Sequence, residues 1–106
     1  SAPPPPAENQ VRIVYHDAHL AIVEKPSGLT STRHHEEADW PQERKQFQPT
    51  LDEMLPKILA RKGVKGSRRG GLPMIRAVHR LDRETSGLMV FARNVEAERI
   101  LGEQFR

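Results

Sequence analysis

Cysteine is absent from the 106 residues. Disulfides, thiolate metal sites and a cysteine nucleophile are therefore excluded. Aromatic residues are scarce, at one Trp, one Tyr and three Phe. No apolar run approaches the roughly 18 residues of a membrane span. The opening Ser-Ala-Pro-Pro-Pro-Pro lacks the charged start and apolar stretch of a signal peptide. The chain is also short. It has room for one small domain and excludes a layered fold with its own cofactor domain. Hydrophobic residues make up only 36% against 29% charged, so part of the chain is expected to join no core. Residue 1 is Ser rather than Met, and Arg106 falls inside a helical pattern. The chain is thus expected to be a piece of a longer protein.

Charge is present but uneven. Residues 1 to 60 hold six basic and nine acidic residues, and residues 61 to 106 hold eleven and five. The net +3 is therefore a −3 half joined to a +6 half. The densest stretch carries Arg61, Lys62, Lys65, Arg68, Arg69, Arg76, Arg80 and Arg83 among four glycines, with Asp82 its one acid. Such a stretch suits a phosphate backbone, because Lys and Arg release condensed counterions. A solvated surface loop is the plainer reading. It contains no aromatic ring, so it would touch phosphates rather than read bases.

Residues 1 to 10 are Pro-rich and read as an extended, disordered tail with no packing role. Val11 to Tyr15 alternates as a strand, with Val11, Ile13 and Tyr15 on one face. Leu20 to Val23 is a second strand, and the pair reads as a hairpin. Residues 31 to 49 are a long polar loop. Thr50 and Glu53 form a capping-box pattern before Leu51, Met54, Leu55, Ile58 and Leu59, and Met54, Leu55 and Ile58 read as core. Pro56 should kink or split that helix. Met74 to Val78 is a third strand. Leu88 to Ala92 is a nearly all-apolar one, expected to be central and covered on both faces. Asn94 caps a last helix whose buried side is Val95, Ala97, Ile100, Leu101 and Phe105. The order β-β-α-β-β-α argues for an α+β domain.

The chemistry is concentrated in His79-Arg80-Leu81-Asp82-Arg83-Glu84-Thr85-Ser86-Gly87, between two apolar strands. Arg80 and Arg83 flank Asp82, and opposite charges nearby keep a carboxyl ionised. A held carboxylate is a nucleophile or a base. Taken as charges alone, the cluster equally reads as structural ion pairs. A protein-kinase catalytic loop is excluded: Leu81 separates Arg80 from Asp82, no Gly-rich nucleotide loop precedes it and no Asp-Phe-Gly follows.

His79 through Leu88 resembles the signature of the RluA-like pseudouridine synthases. The likeness extends upstream to Ile13–Tyr15, Asp17, Leu20–Val23 and Lys25-Pro26-Ser27-Gly28-Leu29, and downstream to Ala97-Glu98-Arg99 and Gln104-Phe105-Arg106. Two separated motifs in order are far more specific than one short pattern. The resemblance covers residues 11 to 106 except the loop at 31 to 49. It implies a mixed, mainly antiparallel sheet with flanking helices, incomplete at the C-terminus.

The resemblance also implies an activity: uridine in tRNA or rRNA stem-loops is isomerised to pseudouridine, without metal, nucleotide or organic cofactor. Asp82 is then the catalytic aspartate, which either attacks the nucleotide or removes a ribose proton. A base within a stem must leave the stack to react. Arg80 would fill the vacated space or support Asp82. Arg83, Arg68, Arg69 and Lys25 would hold RNA phosphates. Family members go on to a strand with a base-stacking tyrosine and to a basic residue that pairs with the aspartate. Arg106 precedes both, and Tyr15 does not match that tyrosine. The fragment alone is therefore expected to be inactive. The parent is expected to be a cytoplasmic monomer with RNA as its partner and neither membrane nor metal. The other readings are a non-catalytic RNA-binding fragment using segment 61–83 and a protein-binding module.

Several residues carry competing readings. His34 and His35 beside Glu36 and Glu37 are read as loop surface rather than a metal site. His79 is read as a structural hydrogen-bonder rather than a general base. For Lys25, a solvated strand-end lysine competes with the phosphate contact. Trp40 and Phe47 are read as pinning their loop, with stacking on RNA the other possibility.

Overall fold

A computed structural model describes residues 4–66 and 70–106. Four strands form one antiparallel sheet in the order β1-β2-β4-β3. They are β1 (Arg12–His16), β2 (Leu20–Lys25), β3 (Arg76–Ala77) and β4 (Gly87–Ala92). The helices are α1 (Gln42–Phe47), α2 (Leu51–Arg61) and α3 (Val95–Gln104). The α+β class follows from the sequence patterns. The third strand is shorter than its apolar run suggested, and α1 lies inside the expected polar loop.

The core lies on one sheet face. Ala21 pairs with Phe91 and Val23 with Met89, which puts their side chains on the same side. They join Leu29 and the apolar stripe of α2, made by Leu51, Leu55, Ile58 and Leu59. Pro56 does not split α2, which runs through it as one helix. Proline removes one backbone donor there, and the buried residues on both sides hold the helix against the core.

The start of α2 also departs from the capping-box reading. Thr50 makes no side-chain cap. Its hydroxyl instead donates to Asp52 Oδ1 at 2.5 Å. The free amides of the first turn are taken by backbone: Leu51 N–H donates to Thr30 O and Asp52 N–H to Ser31 O. Glu53 is occupied by Arg33, which also pairs with Glu37 at 2.9 Å. Thus α2 is docked directly on residues 30 and 31.

The other sheet face is more open than the sequence implied. β4 is central, but it is not covered on both sides, and Leu88 is 55% exposed. α3 buries only Ala97, while Val95, Ile100 and Phe105 stay exposed. The expected Asn94 cap is present, accepting from Ala97 N–H at 2.8 Å. Tyr15 also lies on the open face. A bulge between Ile13 and Tyr15 shifts the register, so Tyr15 pairs with Ile22 and is half exposed rather than sharing the face of Ile13.

The segment expected to be a tail packs where it is described. Glu8–Gln10 is a short 3-10 turn, Glu8 pairs with Arg61, and Pro6 lies against Gly28.

The β1–β2 hairpin is closed by Asp17. Its carboxylate accepts from His19 N–H, Leu20 N–H and the Tyr15 hydroxyl, at 2.7 to 3.0 Å. These bonds, led by that from His19, hold its pKa down at about 2. A depressed carboxyl stabilises the fold above its ordinary value of 3.8 and loses that contribution as pH falls towards 2. Asp17→Asn should therefore flatten the fall in thermal midpoint across that acid window. Thermal melts of both proteins between those pH values check it.

Candidate active site

The loop between β3 and β4 is fastened to the turn that follows β2. Lys25 is the central fastening. Its side chain is fully buried, and its ammonium donates to three carbonyls: Leu29 O at 2.6 Å, Pro26 O at 3.0 Å and Arg83 O at 3.0 Å. Burial pushes the Lys25 pKa below the ordinary lysine value, and the carboxylates of Glu84 and Asp82 act against that shift. Lys25 is thus neither a solvated strand-end lysine nor a phosphate contact. Its three protons are committed to the protein's own backbone.

Further bonds join the two segments. Gly28 N–H donates to Arg83 O at 2.8 Å, and Arg83 Nε donates back to Gly28 O at 3.2 Å. Gly28 has φ +93°, the left-handed region that suits glycine. The Ser27 hydroxyl donates to Glu84 O at 2.8 Å. Ser31, almost fully buried, donates its hydroxyl proton to Leu81 O at 2.5 Å and accepts from Leu81 N–H at 3.2 Å. One hydroxyl thereby satisfies both backbone groups of the residue before Asp82. Ser31 also caps α2 through its carbonyl, so the helix, the turn and the loop form one connected unit.

Asp82 sits at the exposed part of this loop, at a tight turn closed by Thr85 N–H donating to Asp82 O. Arg80 and Arg83 are exposed beside it. Among the described residues neither makes an ion pair with Asp82, and Arg83 turns to Gly28 instead. The alternative reading of the cluster as structural ion pairs to Asp82 is therefore not met among the described residues. What forms is an open carboxylate on a backbone-anchored loop. Arg68 and Arg69 lie outside the described residues.

His79 accepts a hydrogen bond from Val90 N–H through Nε2 at 3.0 Å, and its ring stacks on Phe105 with centroids 4.3 Å apart. That bond needs the neutral ring, and burial lowers its pKa. Its geometry is that of a structural acceptor at the strand end. In the 31–49 segment, Trp40 lies under the Arg44 guanidinium at 3.8 Å and so helps hold the loop. Phe47 does not pin it, for it is 80% exposed. His34 and His35 are exposed, and Glu37 is engaged by Arg33.

The sequence reading gave no role to Ser31. Its only signal there is a small polar residue two positions beyond the Lys25–Leu29 motif. Ser31→Ala leaves both Leu81 backbone groups without this partner and should cost about 1–3 kcal/mol of stability. Urea unfolding of the two proteins measures it.

Comparison with known proteins agrees with this geometry. The profile of the RNA pseudouridylate synthase family matches residues 19–106, including the β3–β4 loop. The dual-specificity RNA pseudouridine synthase RluA of Vibrio vulnificus is 34% identical over 96% of this chain and 32% of its own length. The protein of that name from Escherichia coli is 36% identical over 96% of this chain and 37% of its own. The chain thus spans about a third of the length of these curated relatives. A solved structure, human RNA pseudouridylate synthase domain containing 4, superposes with TM-score 0.59 at 29% identity, covering 89% of this chain and 29% of that one. The match over most of the chain, with the loop of Asp82 inside it, places this chain in the RNA pseudouridylate synthase family.

Proposed function

We propose that the protein isomerises uridine to pseudouridine in tRNA or rRNA, with Asp82 as the catalytic carboxylate. The observation that carries this reading is the mounting of Asp82. The residue is exposed, while the backbone on either side of it is tied to the turn after β2 by Lys25, Gly28 and Ser31. A reacting group held by rigid neighbours needs little reorganisation when substrate arrives. The relatives' names supply the reaction class.

In the reaction the C1′–N1 bond breaks and a C1′–C5 bond forms. The hydrogen on C5 leaves to solvent and N1 gains a proton, so atoms and charge balance. Asp82 serves by attack on the nucleotide or by removal of a ribose proton. The uridine must first leave its stack, which costs a few kcal/mol. Arg80 lies two positions before Asp82 in the chain, and its guanidinium enters the vacated space or supports the carboxylate. Arg83 is available to a phosphate. No cofactor is required by this chemistry. Residues 1–106 carry Asp82 and its mount, and alone they are expected to leave RNA unmodified. The family resemblance implies a base-stacking tyrosine and a basic partner of the aspartate, and Tyr15 does not match that tyrosine.

The natural-length protein should convert uridine in unmodified tRNA or rRNA hairpins. Digestion to nucleosides and chromatography separates pseudouridine from uridine. Recovery of uridine alone from both RNA classes overturns the proposal.

A further inference from the structure

Beside Asp82 lies a cleft with a composition of its own. Its lining includes Gly28, Arg83, Phe47, Gln48 and Pro5, and its volume is about 440 Å³. That is within the range of small-ligand sites, roughly 300–1,000 Å³. None of the described residues lining it is acidic. Its wall carries Phe47, a phenyl ring 80% exposed at the end of α1. An aromatic ring so open has no packing role in the described fold. Arg83, which also lines the cleft, has its Nε fixed on Gly28 O, and its terminal nitrogens make no hydrogen bond among the described residues. A ring with a free face that shares a cleft with a cation and no carboxylate matches a nucleotide: the base stacks and the phosphate meets the guanidinium.

We propose that this cleft binds one unpaired nucleotide of the RNA substrate next to the target uridine, with its base on Phe47 and its phosphate on Arg83. The inference rests on the reading of Asp82 as the catalytic group, because Arg83 follows Asp82 directly in the chain. The cleft therefore lies one residue from the reacting position. It assigns to the 31–49 segment a part in choosing substrates: a target uridine must have an unpaired neighbour that can turn into the cleft. Gln48 also lines the cleft and offers both a donor and an acceptor in its amide to the edge of that base.

The test uses natural-length protein and RNA hairpins in which each loop base in turn is 2-aminopurine, whose fluorescence reports stacking. Binding is read in the Asp82→Ala background, so it does not depend on turnover. Phe47→Ala should weaken hairpin binding roughly tenfold and change the stacking signal at one loop position. Phe47→Trp should restore both. Arg83→Gln should lower the salt slope of binding by about one. Phe47 is exposed, so circular dichroism should show Phe47→Ala folded as wild type. If Phe47→Ala binds within about twofold of its parent and no loop position changes signal, the cleft proposal is wrong. Failure of every hairpin to bind overturns it as well. Pseudouridine formation, measured in parallel with Asp82 intact, separates the two readings. Conversion by wild type together with an indifferent Phe47→Ala removes the cleft and leaves the catalytic assignment standing.

Discussion

Asp82→Asn should fold as the wild type does and lose uridine isomerisation by about 10⁴-fold. The two halves of that expectation have separate causes. Asp82 is exposed, and among the described residues its carboxylate has no hydrogen bond or ion pair to lose. The turn is closed through its backbone carbonyl, which asparagine keeps. Surface changes of this kind stay within about 0.5 kcal/mol. The amide, by contrast, is neither a carboxylate nucleophile nor a base, so both roles open to Asp82 are removed together. Urea unfolding and single-turnover assays on one preparation measure the two effects. A large stability change with little loss of rate would recast Asp82 as structural.

Lys25→Met should do the reverse and act first on stability. Methionine comes near to the volume of lysine but donates nothing. The carbonyls of Pro26, Leu29 and Arg83 then lose their shared partner. Arg83 O keeps the Gly28 N–H, so the carbonyls of Pro26 and Leu29 are the ones left unsatisfied, at about 1–3 kcal/mol each. One effect opposes this: the ammonium's own desolvation penalty disappears, and replacing a whole buried polar cluster can be neutral. Only one member of the cluster is replaced here, so the carbonyls remain and the penalty wins. A loss of roughly 3–5 kcal/mol is expected, a large part of the 5–15 kcal/mol of a typical domain. Urea midpoints measure it. The rate should fall too, since the bond to Arg83 O holds the residue after Asp82. A midpoint equal to that of the wild type would show that Lys25 is not the fastening.

The contrast between these residues shows what could be read from sequence. Apolar periodicity exposed the hairpin, α2 and the central strand, because burial of one face writes directly into spacing. The motif at 79–88 marked the β3–β4 loop, which the family profile covers. Lys25 was misread because charge is the only property a sequence attaches to lysine. Its function depends on carbonyls from residue 29 and residue 83, which folding brings together. Ser31 was missed for the same reason, since its partner lies fifty residues away. The bulge that turns Tyr15 outward is a pairing event between strands and leaves no trace in the alternation of one of them. The coverage of β4 was overestimated because an apolar run states what a face tolerates, not what lies over it. Leu88 and the poorly buried α3 show that gap.

The central claim is that Asp82, on its backbone-anchored loop, drives the exchange of the C1′–N1 bond for a C1′–C5 bond. Forming the bond at C5 expels the hydrogen there, so RNA made with tritium at uridine C5 reports each event as tritium in water. Natural-length wild-type protein should release tritium in proportion to the uridines it converts, and Asp82→Asn should release none above the protein-free control. Equal release by the two proteins, or none by the wild type with tRNA or rRNA substrates, would contradict the account.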